Sequence, residues 1–192
     1  MRFVIAVIFT IIFNAALAGD FEDGAAAFNR KDYATALTKI RSAAHQGIAG
    51  GQNLLGFMYE AGLGVEKDYK EAMRWYHLAA QQGHKEAQYN LGAMYYDGLG
   101  IEKDYKEAVR WFLLAAHQGS ATAQTYLGFM YSNGQGVAQN YKESVRWTRL
   151  AAQQGVAEAQ HNLGRMYFLG QGVLQDHIRA HMWSNIAAVS GD

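Results

Sequence analysis

An all-α fold, an α-solenoid of stacked helix-turn-helix units, is predicted by three observations. The first is repetition. Leu55-Gly56, Leu91-Gly92, Leu127-Gly128 and Leu163-Gly164 recur every 36 residues, and Tyr59, Tyr95, Tyr131, Tyr167 and Trp75, Trp111, Trp147, Trp183 keep the same step. Matched series at one period mark supersecondary units that stack on their neighbours. The second is helical spacing within a unit: Ala87, Leu91 and Tyr95 stand four apart and share one helical face. The third is punctuation. The chain has 21 glycines and no proline, which suits helices joined by glycine turns.

The elements follow in order. Residues 1–18 read as a secretory signal peptide. Arg2 supplies the positive start, Phe3 to Phe13 is an almost unbroken apolar run, and Ala16-Leu17-Ala18 is a small-x-small cleavage site before the polar Gly19-Asp20. The alternative is an uncleaved anchor. Against it, the apolar run is shorter than the ~20 residues that span a bilayer, and no basic stop-transfer cluster follows. The expectation is an exported protein, periplasmic or secreted, with no membrane span after cleavage.

Residues 19–47 carry a shortened unit that caps the array. Asp32-Tyr33 and Ala43-Ala44-His45-Gln46-Gly47 keep the second-helix pattern, but Gly24 lies 32 residues before Gly56 and the G-x-G insertion is missing. Four full units then span 48–83, 84–119, 120–155 and 156–192. In the second of them, Gly92 is expected to admit a neighbouring helix, and Gly98-Leu99-Gly100 ends the first helix because glycine adopts the left-handed conformation without a Cβ penalty. Asp104 is placed as N-cap of the second helix with Glu107 closing a capping box, as are Asp68 with Glu71 and Asn140 with Glu143. That helix is expected to bury Ala108, Trp111 and Ala115 and to stop at Gly119. One pair cannot bury its apolar face alone; stacked pairs build a continuous core.

The last unit departs most. Asp176 keeps the cap, but Arg179 replaces the Glu, and Ile178 and Met182 stand where earlier units carry Lys142 and Arg146. Terminal repeats normally present a polar outer face. An adhesive last helix is therefore expected, able to pack on a partner, on a second copy of the chain, or on further sequence.

These residues carry a resemblance. The segment LGAMYYDGLGIEKDYKEAVRWFLLAAHQG resembles the Sel1-like repeat, a subfamily of tetratricopeptide-type repeats, and the likeness covers residues 51 to 191 in four tandem copies. Gly51 departs, standing where the other copies have Ala87, Ala123 and Ala159. Residues 19–47 are similar to a plain tetratricopeptide repeat. The resemblance implies a right-handed solenoid that binds other proteins. Exported bacterial members are described as envelope scaffolds, signalling regulators or factors that meet host proteins, and some cysteine-bridged members are linked to β-lactam binding or hydrolysis.

Composition removes several classes. The 17 basic side chains balance 17 acidic ones, so there is no surplus to neutralise nucleic-acid phosphates. With no cysteine, disulfides, thiolate metal sites and cysteine nucleophiles are excluded. No serine has a lysine three residues on, so the penicillin-interactive signature is missing. A β-lactamase-like hydrolase ranks last, and the expectation is a protein that is not an enzyme. No cofactor is expected. His177 and His181 stand four apart and could share a metal, but Ile178 stands where an H-E-x-x-H motif needs Glu. Lys70/Arg74, Lys106/Arg110 and Lys142/Arg146 form a basic stripe, read as a solvated face because Glu71, Glu107 and Glu143 interleave.

The positive signal is variation between copies. In tetratricopeptide arrays the first helix of each pair lines the concave groove. Carried across, that alignment selects Asn53, Phe57 and Glu60; Tyr89, Ala93, Tyr96 and the adjoining Asp97; Thr125, Phe129 and Ser132; and His161, Arg165 and Phe168. A position that varies within a constant unit is not fixed by packing. The aromatics Phe57, Tyr89, Tyr96, Phe129 and Phe168 either form a recognition surface or tuck between helices. The leading expectation is a scaffold that binds a protein or peptide in this groove. The alternative is a cell-envelope carbohydrate stacked on the same rings.

Overall fold

The structure is a computed structural model, and residues 19–190 are described. The signal segment 1–18, its cleavage site and residues 191–192 lie outside them. All regular structure among the described residues is helical. Residues 19–29 form α1. There follow α2 (Tyr33–His45), α3 (Ala49–Ala61), α4 (Tyr69–Gln81), α5 (Lys85–Asp97), α6 (Tyr105–His117), α7 (Ala121–Asn133), α8 (Tyr141–Gln153), α9 (Ala157–Leu169) and α10 (His177–Ser190). The fold is thus all-α, built of stacked helix-turn-helix repeats of the α-solenoid class. None of the described helices is long and apolar enough to cross a membrane.

The helix ends follow from the repeated polar and glycine positions. First helices end on left-handed glycines: Gly62, Gly134 and Gly170 have φ of 70°, 69° and 68°. Second helices begin on Asp or Asn. The Asp104 carboxylate accepts from the amides of Lys106 and Glu107 at 2.9 and 3.1 Å. The reciprocal half of the expected capping box does not form. The Asp104 amide instead donates to the Tyr95 carbonyl at 2.9 Å, and Glu107 pairs with Arg110 at 3.1 Å. The same substitution holds at Asp68, whose amide reaches Tyr59, and at Asn140, whose amide reaches Tyr131. The G-x-G turn folds the chain back onto a tyrosine carbonyl of the first helix, so the glutamate is released to the surface. There it forms an ion pair with the arginine one turn on. Each of these arginines also lies over the tryptophan that follows it, Arg74 on Trp75 at 4.2 Å and Arg146 on Trp147 at 4.8 Å. The arginines of the basic stripe are thus occupied by their own neighbours.

Two compact units divide the chain. The first runs through Ala87 and adds Leu99–Ile101; the second takes Gln88–Gly98 and Glu102 onward. In the first, Ala27, Ala36, Ile40, Ala44, Leu55, Met58 and Trp75 form the core. The Asp20 carboxylate ties α1 to α2, accepting from Lys39 Nζ at 2.7 Å and Ser42 Oγ at 2.8 Å. The departure at Gly51 has a steric reason: a Cβ there would stand 3.0 Å from Ala43 Cβ and 3.1 Å from the Ala44 amide nitrogen. In the second unit, Ala108, Phe112, Leu127, Met130 and Trp147 form one core cluster, and Ala151, Leu163, Met166 and Ala180 belong to another.

Buried glutamines join the helices within each unit. Gln82 donates to Gln52 Oε1 at 2.7 Å, and Gln154 to Gln124 Oε1 at 2.8 Å. The acceptors in turn donate backward across the stack, Gln52 to the Ala44 carbonyl and Gln124 to the Ala116 carbonyl. Gln160 makes the backward bond to Ala152 at 3.1 Å, but its Oε1 is buried without a donor. The residue at the donor position is Ser190, too short to serve as the glutamine does.

Candidate ligand groove in the second unit

The candidate residues of the first unit are partly committed to the fold. Phe57 is 41% exposed and meets Phe28 edge to face at 6.0 Å. Asn53 is half-buried. The Glu60 carboxylate accepts from the Tyr76 hydroxyl at 2.6 Å. Tyr76 is fully buried, and its phenol is pushed far above the ordinary range, first by desolvation and then by that bond. Glu60 is therefore the satisfying partner of a core tyrosine before it is anything else.

In the second unit, the two tyrosines expected to face the groove are half-buried in a ring cluster. Tyr126 stacks on Phe112 at 4.9 Å; Tyr89 lies 5.9 Å from Phe112; Tyr96 meets Tyr105 at 5.2 Å and Tyr126 at 5.3 Å. Burial pushes the Tyr96 phenol up, and Tyr105, Tyr126 and Asp97 add to this. Tyr89 and Tyr96 thus act in large part as packing residues. Phe129 and Phe168, by contrast, remain 49% and 56% exposed. Asp97 is exposed at the end of α5.

Three cavities bring the remaining candidates together. One of about 260 Å³ is lined by Tyr96, Thr125, Tyr126, Phe129 and Glu158. A second, of about 270 Å³, shares Thr125 and Phe129 and continues past Gly128, Ser132, Asn133, Thr148 and Asn162 to Arg165. The third, of about 580 Å³, shares Arg165 and is lined also by His161, Gly164, Phe168, His177, His181 and Ser184. Shared lining residues, Thr125 and Phe129 between the first two and Arg165 between the last two, make them a row of adjoining cavities along α7, α9 and α10, together a candidate groove. Thr125, Phe129, Ser132, His161, Arg165 and Phe168 all line it, and Asp97 lines none of the three.

The groove opens for a simple reason. Each first helix carries the invariant glycine, and the second-helix residue facing it changes from copy to copy: Tyr76, Phe112, Thr148, Ser184. Beside Gly56 and Gly92 an aromatic ring fills the space, with ring carbons 2.7 Å from a Cβ built on the glycine. Beside Gly128 and Gly164 only a hydroxyl side chain is present, and cavities remain. Sequence reasoning missed Thr148, Ser184, Tyr126, Glu158 and Asn162. The loss of the ring at this one position was the signal available.

Chemically the groove is a binding surface with graded charge. Glu158 lies at one end, amide and hydroxyl groups occupy the middle, and Arg165 with three histidines lies at the other. Among the described residues, no group of three or more His, Asp or Glu side chains is placed to hold a metal ion. His177 and His181 do share a cavity.

Comparison with known proteins places the repeats. The sequence profile described as Sel1 repeat matches residues 49–84, 85–120, 121–156 and 157–192. The chain is similar to a Sel1 repeat protein from Oxalobacter formigenes, with TM-score 0.85 and 39% identity over 90% of this chain and 71% of that one. It is similar also to a protective antigen present in uropathogenic Escherichia coli strains and displaying an SLR fold. The TM-score is 0.89 and the identity 34%, over 93% of this chain but 39% of the antigen. A Sel1 repeat protein from Klebsiella pneumoniae, at 19% identity and TM-score 0.60 over 91% of this chain and 87% of that one, shares the fold. No curated protein sequence matches closely enough to count as a relative.

Proposed function

Because the chain belongs to the Sel1 repeat family, whose members are typically non-catalytic scaffolds mediating protein interactions, we propose that it is an exported scaffold that holds a peptide segment of a protein partner in the groove of its second unit. The observation that carries this is the row of adjoining cavities from Phe129 past Arg165 to Phe168. Its walls combine two exposed rings, which give apolar contact, with Ser132, Asn133, Thr125 and Asn162, which suit an extended backbone. The signal segment supports export, to the periplasm or beyond the cell. The apolar outer face of α10, with Ile178 84% and Met182 45% exposed, supports self-association as a second contact.

The test uses residues 19–192 as bait in envelope extract, beside a variant carrying Phe129→Ala and Phe168→Ala. Both rings are exposed, so the variant should keep its helices and its melting temperature. A partner held by the parent and lost by the folded variant supports the reading. Equal capture by both would discard the groove. A second reading, an envelope glycan, draws on one observation: the exposed Phe129 ring and the Glu158 carboxylate line the same cavity, as sugar stacking with hydroxyl recognition requires. Retention on immobilised glycan, lost in the same variant, would favour it.

A further inference from the structure

The widest part of the groove has a chemical bias that a general peptide groove does not need. Arg165 lines it from α9 together with His161, and His177 and His181 line it from α10. No carboxylate is among the lining residues. Arg165 is exposed and, among the described residues, makes no ion pair or hydrogen bond, whereas Arg74, Arg110, Arg146 and Arg179 each pair with an acid three residues earlier. The sequence explains this. The helical neighbours of Arg165 are His161, Asn162, Phe168 and Leu169, none of them acidic. Two acids lie within a turn of this cluster in sequence: Glu158 lines the cavity around Phe129 instead, and Asp176 pairs with Arg179 and lines a separate cavity. The imidazoles are also positioned: His177 meets Phe168 at 5.3 Å, and His181 Nε2 lies 3.2 Å from Asn185 Nδ2.

We infer that this end of the groove is a carboxylate-recognition pocket for an acidic residue of the bound peptide. The inference rests on the peptide reading above and names the chemistry at one of its subsites. A guanidinium without an internal partner offers a planar fork matched to a carboxylate. Imidazoles supply further N–H donors around it. Phe168, more than half exposed at the rim, gives the aliphatic part of the residue an apolar surface. Its Gly164 and Ser184 walls leave room for the side chain, because neither carries bulk.

The full chain is panned against a displayed random peptide library, beside an Arg165→Gln/His181→Gln variant. The expected result is peptides enriched in Asp or Glu for the parent and the loss of that enrichment, with peptides still selected, for the variant. A selected peptide resynthesised with Gln or Asn for its acid should bind the parent about tenfold more weakly and the variant with little change. An amidated C-terminus tests the terminal carboxylate in the same way. Peptides selected without acidic bias, or an equal bias in the variant, would overturn the carboxylate pocket while leaving the peptide groove standing. No peptide selected by either protein would overturn both. Titration of the parent with the acidic peptide and its amide form provides a check independent of variant folding. Imidazole proton resonances of the three histidines should move with the acid only, and equal movement with both would overturn the pocket.

Discussion

At the residue scale, the same repeat position does different work in different copies. Tyr76 fills the space beside Gly56 and sends its hydroxyl to Glu60, while Phe112 fills the same space without a hydroxyl. Tyr76→Phe should therefore keep the packing and cost about 1.5–3 kcal/mol, the net worth of one hydrogen bond to a charged group, read from urea unfolding. Gly92→Ala should cost more. Its Cβ would press on the fully buried Phe112 ring at 2.7 Å, and overpacking of ~1–3 kcal/mol outweighs a helix-propensity gain of up to ~1 kcal/mol. Gly164→Ala meets the Ser184 hydroxyl at 3.0 Å, which can rotate, and the Ala180 carbonyl oxygen at 3.1 Å, which cannot; both contacts are longer than the one at Gly92, so it should be the milder of the two. Asp20 offers a pH test. Its bonds to Lys39 and then Ser42 hold its carboxyl below the usual range. Its contribution is therefore present above the ordinary carboxylate range and is lost as pH falls through the folded value. The melting-temperature difference between the parent and Asp20→Asn should shrink on acidification below that range.

At the element scale, helices within each unit are fixed by contacts to the turn or helix before them. The amides of Asp68, Asp104, Asn140 and Asp176 reach back to a tyrosine carbonyl, and Gln52, Gln124 and Gln160 reach back to an alanine carbonyl of the preceding pair. Gln154→Ala would leave the Gln124 carbonyl oxygen buried without its donor, the state that Gln160 has in the native chain. A loss of about 1–3 kcal/mol is expected in chemical unfolding. These devices were only half legible. The cap residues could be read because a short polar side chain before a helical run has one obvious use. The return bond was assigned to Glu107 because that is its local partner. The Tyr95 carbonyl takes the role instead, nine residues earlier in sequence and brought close by the glycine turn.

At the scale of the whole molecule, the copies are graded rather than equivalent. Bulk facing the invariant glycine falls from Tyr76 and Phe112 to Thr148 and Ser184, and cavities line the later copies. The outer face of the last helix departs in the other direction, from charge to Ile178 and Met182. Ile178→Lys with Met182→Arg restores the residues of the earlier copies. Sedimentation should show self-association for the parent and a monomer for this variant, with helical content unchanged. A parent that stays monomeric at every concentration would discard self-association through this face.

The sequence by itself determined the repeat, the helix pairs, their caps and the glycine stops, because these depend on period and on local backbone chemistry. It also limited the chemistry, since no cysteine and no charge surplus is present. Only the tertiary structure decided which variable residues form a groove. Tyr96 and Phe168 hold the same repeat position, yet one packs half-buried against Tyr105, Phe112 and Tyr126 while the other stands open to solvent. Across the helix pair the first faces the Phe112 ring, where the last copy has only Ser184, and a side chain's exposure is set by the volume of what it faces.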